Sequence, residues 1–129
     1  MKPITHEWVD KAEADLVSAL REYRARNQPN FDAACFFAQQ CIEKYLKARL
    51  VEGGIKYPRT HDLSALLDLA LRVEAGWESF RTKLDTLTSY AVEFRYPGES
   101  ATREMTRTAI ADAKAIRVLI RQDMGLLDE

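Results

Sequence analysis

The chain has 129 residues, 47% hydrophobic and 30% charged, with a formal net charge of −1. That size supports one hydrophobic core, the composition excludes a disordered chain, and the near-zero charge excludes coating of nucleic acid by a generally basic surface. No run approaches the roughly 20 apolar residues of a membrane-spanning helix, and the N-terminus lacks the apolar segment of a signal peptide. A cytoplasmic protein folded as a single domain over residues 1–129, with no membrane association, is therefore expected.

Hydrophobic periodicity predicts a first helix from His6 to Arg26 with Thr5 as N-cap. Its apolar stripe is Trp8, Ala12, Leu16, Ala19, Leu20 and Tyr23. Asn27-Gln28-Pro29-Asn30 is a turn, because proline cannot continue a helix. The second helix runs from Phe31 to Val51 and stops at Gly53-Gly54. After a loop containing Pro58, Thr60 caps a third helix with the stripe Leu63, Leu66, Leu67, Ala70 and Leu71. Gly76 interrupts that helix, and Trp77, Phe80, Leu84, Leu87 and Ala91 restart the period. Pro97 and Gly98 force a turn, and a last helix spans Thr102 to Met124 with Met105, Ala109, Ile116 and Ile120 inward. No segment alternates like a strand. The expected fold is all-α, an antiparallel up-and-down bundle of four to five helices.

Cys35 and Cys41 lie six residues apart, so on one helix they point to different faces and cannot form a disulfide. No second pair of Cys or His stands at metal-ligand spacing, so neither metal nor cofactor is expected. Both thiols read as small core residues.

The second helix is apolar most of the way round, which suits the centre of a bundle. Gln40, Glu43, Lys44 and Lys47 interrupt it at i, i+3, i+4 and i+7, a spacing that projects them together. As a ligand site, the lysines would face phosphate oxygens, Gln40 would meet a base or sugar, and Glu43 would orient a lysine. Otherwise the strip is a Glu43–Lys47 pair on a solvated edge, or a polar register at a dimer contact. Two lysines beside one glutamate leave a positive charge over. From Lys44 to Arg59 five positive side chains accompany a single negative one, Glu52, which suggests a local basic rim.

Further candidates lie downstream. Pro97 restricts Tyr96 to extended geometry, fixing Arg95 and Tyr96 at a helix exit near Tyr90. An arginine beside aromatic rings can clamp a phosphate while a ring stacks on a base; alternatively Arg95 caps a helix or bridges to Glu93 or Glu99. His61, in the first turn of the third helix, is placed to meet an anion or simply to fill a polar slot between helices.

Three pieces in order carry a family resemblance: the run Gln39-Gln40…Glu43-Lys44…Lys47-Ala48, then Thr60-His61-Asp62-Leu63, then Tyr90 with Phe94-Arg95-Tyr96-Pro97. Together they resemble the HEPN domains, small helical bundles, over nearly the whole chain. Many HEPN domains are metal-independent ribonucleases whose activity rests on an Arg followed four to six residues later by a His. That pattern is absent. For His61 the Arg would fall at Gly54, Ile55 or Lys56; His6 has no Arg before it, and no His follows Arg95.

The resemblance therefore implies a HEPN protein without the nuclease motif, similar to those encoded beside minimal nucleotidyltransferases in two-component, toxin–antitoxin-like systems. It implies a non-catalytic homodimer that binds nucleotide or RNA and partners such an enzyme. The ligand-binding residues would be Gln40, Glu43, Lys44, Lys47, His61, Tyr90, Arg95 and Tyr96, with no catalytic residue. The alternatives are a ligand-free dimeric interaction module and a degenerate ribonuclease using Arg95, Tyr90 and a lysine. The dimer is expected from apolar surface beyond one core stripe on the second helix, and from Ile110, Val118 and Leu119 on the last.

Overall fold

In the computed structural model, which describes residues 1–126, five α-helices follow one another: α1 Pro3–Arg24, α2 Phe31–Glu52, α3 Leu63–Ala70, α4 Arg81–Glu93 and α5 Arg103–Asp123. A 3-10 turn, Ala75–Phe80, precedes α4, and no strand occurs among the described residues. No helix among them is long and apolar enough to cross a membrane.

Local chemistry explains most helix ends. Pro3 occupies the first turn of α1, where its missing N–H costs nothing. Asn30 caps α2 by accepting from the Ala33 N–H at 2.9 Å, and Gly53 closes it, with Gly54 at φ +69° supplying the left-handed turn. Thr102 caps α5 by accepting from the Met105 N–H at 3.1 Å.

Two expected caps are corrected. Thr5 lies inside α1, fully buried, where its hydroxyl donates to Glu52 Oε1 at 2.9 Å and ties the start of α1 to the end of α2. Thr60 accepts from the Asp62 N–H, and Asp62 is the residue that caps α3, accepting from Ser64 N–H at 3.0 Å. α3 also ends at Ala70, earlier than the break at Gly76 implied.

α2 is the centre of the bundle, packed against each of the other four helices. Thr5–Glu52 at one end and Tyr23–Phe31 at the other make α1 and α2 an antiparallel pair. Ser64–Asp85 and Arg81–Asp68 do the same for α3 and α4. α2 and α5 run parallel, since Cys35 meets Thr106 near both starts and Tyr45 meets Arg121 near both ends. Ala34, Ala38, Cys41 and Ala48 are fully buried, and such small side chains let neighbouring helices approach closely. Both cysteines are free and buried, as their spacing requires. Trp77, Phe80, Leu84 and Leu87 complete the core, and the Trp77 indole N–H donates to Asp123 at 2.6 Å.

One part-buried polar knot joins three helices. The Tyr45 hydroxyl donates to Glu13 Oε2 at 2.5 Å, Arg117 grips Glu13 through Nε and Nη2 at 2.7 Å each, and Arg121 donates to the Tyr45 hydroxyl at 3.1 Å. Burial opposes the charge on Glu13, but hydrogen bonds from Arg117 and Tyr45 outweigh it and hold the carboxyl below its ordinary range.

The inward face of α5 differs from expectation at one position. Met105 is exposed, and Thr106 takes the buried place, with its hydroxyl donating to the Thr102 carbonyl at 2.8 Å. Most of the apolar excess of α2 is consumed inside the bundle, although Phe36 and Phe37 stay only half-buried. Ile110 is buried too, at 5% exposure, while Leu119 remains 45% exposed.

Candidate functional site

Around Glu43 the expected strip divides. The carboxylate is 4% exposed and gathers four donors: Lys47 Nζ at 3.0 Å, His61 Nδ1 at 2.9 Å, Gln39 Nε2 at 3.2 Å and, more weakly, Gln40 Nε2 at 3.4 Å. Burial pushes the Glu43 carboxyl up, but the bonds from His61, Lys47 and Gln39 outweigh that and hold it below the ordinary carboxylate range. It is an ionised hub.

Lys47 is sequestered, its ammonium lying 5.6 Å from the Trp8 ring centroid and 5.7 Å from that of Tyr57. Lys44 leaves the group altogether and pairs with Asp15 on α1. The expected spare positive charge is therefore corrected: each lysine has its own carboxylate, one of them on another helix. The basic rim is largely neutralised for the same reason, since Arg49 also pairs, with Glu74 at 3.0 Å.

Beyond the hub, two cavities open between α2 and α4. A cleft of about 220 Å³ is lined by Phe36, Gln39, Gln40, His61, Thr88, Ala91, Val92 and Arg95. Phe36, Ala91 and Arg95 also border a second, aromatic cavity of about 380 Å³, whose lining includes Phe37, Tyr90 and Phe94. Arg95 is thus shared by both, its guanidinium 5.8 Å from the Phe36 ring centroid. It makes no ion pair with Glu93, Glu99 or any other carboxylate among the described residues. Tyr90 is half-buried and tilts against Phe94 at 5.3 Å. Tyr96 is 65% exposed and borders a further hollow with Val92 and Arg95.

The fold therefore brings Gln40, His61 and Arg95 to one cleft and Tyr90 and Arg95 to its neighbour. Glu43 and Lys47 stand behind the cleft wall, and Lys44 faces elsewhere. Gln39, although part of the family run, and Phe36 were not among the expected site residues. Gln39 is 1% exposed and donates to both Glu43 and the His61 carbonyl, at 3.2 Å and 3.0 Å. Its place four residues before Glu43 was the available signal. No cluster of His, Cys, Asp and Glu suited to a metal occurs among the described residues.

This helical arrangement is that of a known class. The HEPN-domain family model matches residues 5–122, and the chain belongs to the HEPN family. Its fold is similar to that of TT1696 from Thermus thermophilus, with a TM-score of 0.78 at 21% identity, covering 92% of this chain and 96% of that one. It is also similar to ST0689, an archaeal HEPN homologue, with a TM-score of 0.74 at 24% identity, covering 95% and 98% of the two chains. No curated protein matches the sequence significantly.

Proposed function

We propose that this HEPN-domain protein binds a nucleotide or RNA, as a homodimer and as the non-catalytic partner of a minimal nucleotidyltransferase. The observation that carries the binding step is Arg95, a guanidinium with no ion pair among the described residues, set between a polar cleft and an aromatic cavity. A phosphate placed at Arg95 leaves ring-stacking surface on Phe36 and Tyr90 and hydrogen-bonding groups on Gln40 and His61 within reach of the rest of the ligand. Tyr96 extends the same rim. Glu43 and Lys47 act from behind by positioning His61 and Gln40. Lys44 joins the site only if a ligand displaces Asp15. The nucleotidyltransferase partnership rests on the family resemblance alone.

Calorimetric titration of ATP and short single-stranded RNA tests the binding step. Arg95→Ala should weaken binding and flatten its salt dependence, because a phosphate contact releases counterions. Tyr90→Ala should cost about 1–3 kcal/mol with little change in salt slope, as loss of a stacking ring does. Absence of heat with millimolar ligand would refute the reading.

A second reading, a ligand-free dimeric interaction module, draws on exposed Val92 and Tyr96, at 52% and 65%, beside the same cavities. It takes over if no ligand binds and the protein is dimeric.

A further inference from the structure

The hydrogen-bond directions around Glu43 restrict what the 220 Å³ cleft can receive. An ionised carboxylate only accepts, so each neighbour must turn a donor toward it. Gln40 points Nε2 at Gln39 Oε1, at 2.8 Å, and more weakly at Glu43 Oε1. The reversed amide would set its oxygen against those two acceptors, so the orientation is determined and Gln40 Oε1 is left for the cleft. Gln39 has no such choice, because its amide N–H groups serve Glu43 and the His61 carbonyl while its oxygen accepts from Gln40.

His61 follows the same logic. Nδ1 lies 2.9 Å from Glu43 Oε1, so in a neutral imidazole the proton sits on Nδ1 and Nε2 is the acceptor. The Nε2 lone pair then belongs to a side chain that is 74% exposed and lines the cleft. One buried carboxylate thereby gives the wall two outward acceptors, Gln40 Oε1 and His61 Nε2. Thr88, whose hydroxyl accepts from the Leu63 N–H, keeps a single proton to give. The cation, Arg95, lines the same cleft.

Building on the nucleotide reading above, we infer that the cleft selects a nucleotide whose base carries an exocyclic amino group, with its phosphate at Arg95. An –NH₂ group offers two hydrogens to two acceptors. Uracil and hypoxanthine offer one ring N–H flanked by a carbonyl oxygen, which would face Gln40 Oε1 or His61 Nε2 lone pair to lone pair. Size agrees. A volume of about 220 Å³ is below the roughly 300–1,000 Å³ of a pocket that encloses a whole ligand of drug size, so it suits a base alone. Phe36 lines both spaces and can stack on the base in the cleft, while Tyr90 in the aromatic cavity serves a neighbouring base of an RNA.

The test uses pairs of 5′-monophosphates that differ by exchange of amine for carbonyl: CMP against UMP, and AMP against IMP. Titration at low salt should give CMP and AMP an advantage of about tenfold, the scale of one added hydrogen bond in a half-open site. Gln40→Ala and His61→Ala should each erase most of that advantage by weakening CMP and AMP more than UMP and IMP. Equal binding of all four by the wild type would overturn this inference and leave the nucleotide reading standing. Equal weakening of all four by Gln40→Ala would overturn it too, since the side chain would then be only structural. If none of the four binds at millimolar concentration while ATP or short RNA does, this inference falls alone; if nothing binds, both readings fall.

Discussion

Replacing Glu43 by alanine removes one acceptor from four donors, and the structure says which of them suffer. His61 is exposed and recovers water. Gln40 keeps Gln39 Oε1, and Gln39 keeps the His61 carbonyl. Lys47 alone is stranded, 11% exposed between the Trp8 and Tyr57 rings. Removing one partner of a buried pair costs about 3–5 kcal/mol; with two ring faces still holding the ammonium, about 3 kcal/mol is expected. For a chain of this length each kcal/mol moves Tm by roughly 4 °C, so the midpoint should fall by about 12 °C. Lys47→Met, which leaves the carboxylate with only neutral donors or a histidine, should cost less, and the double variant should cost less than the two summed. Urea unfolding and calorimetry measure all three. A Glu43→Ala protein within about 1 kcal/mol of wild type would refute the view of Glu43 as an ionised hub.

Acid should act through the same group. Glu43 and Glu13 both have folded-state carboxyls held below the ordinary 4.5, so their contribution is complete above that value and is lost as pH falls through the lowered ones. The urea midpoint should therefore be flat near neutrality and drop below about pH 4.5, less steeply in Glu43→Gln. Ala38→Leu, at a fully buried position on the central helix, should cost about 1–3 kcal/mol by overpacking, read from the same unfolding curves. Purified protein should leave mixed RNA intact, and His61→Ala should not change that; cleavage abolished by His61→Ala would overturn the non-catalytic reading. Light scattering should report a dimer, and a monomer at tens of micromolar would remove it.

Punctuation carried most of the fold. Gly53-Gly54 and Gly125 stand where helices end, Pro97-Gly98 lie in the turn between α4 and α5, and Asn30 and Thr102 flank helices at the expected places. The misread ends have a common cause: a hydroxyl has several outlets, and sequence does not say which wins. Thr5 went to Glu52, 47 residues away, and Thr60 to its own loop. The apolarity of Met105 points it inward, yet the buried α5 face follows Thr106, Ala109, Ile110, Ala113, Ile116 and Ile120, and Met105 stands one position off it.

The site was half readable. Spacing along one helix joined Glu43 to Lys47, but it is blind to Asp15 on α1, which claims Lys44. That Gln40, His61 and Arg95 share a cleft depends on how α3 and α4 settle against α2, and no local pattern encodes that.

Because α2 is both the centre of the bundle and the origin of Gln39, Gln40 and Glu43, the proposed recognition and the folding draw on one element. A substitution at Gln39 or Glu43 would disturb the interior before it altered any preference for a ligand. His61, Tyr90, Arg95 and Tyr96 lie instead at helix ends and loops, three of them with exposed side chains. Substitutions at those four positions should accordingly alter ligand binding while leaving the bundle folded, whereas a change at the α2 glutamate reaches both.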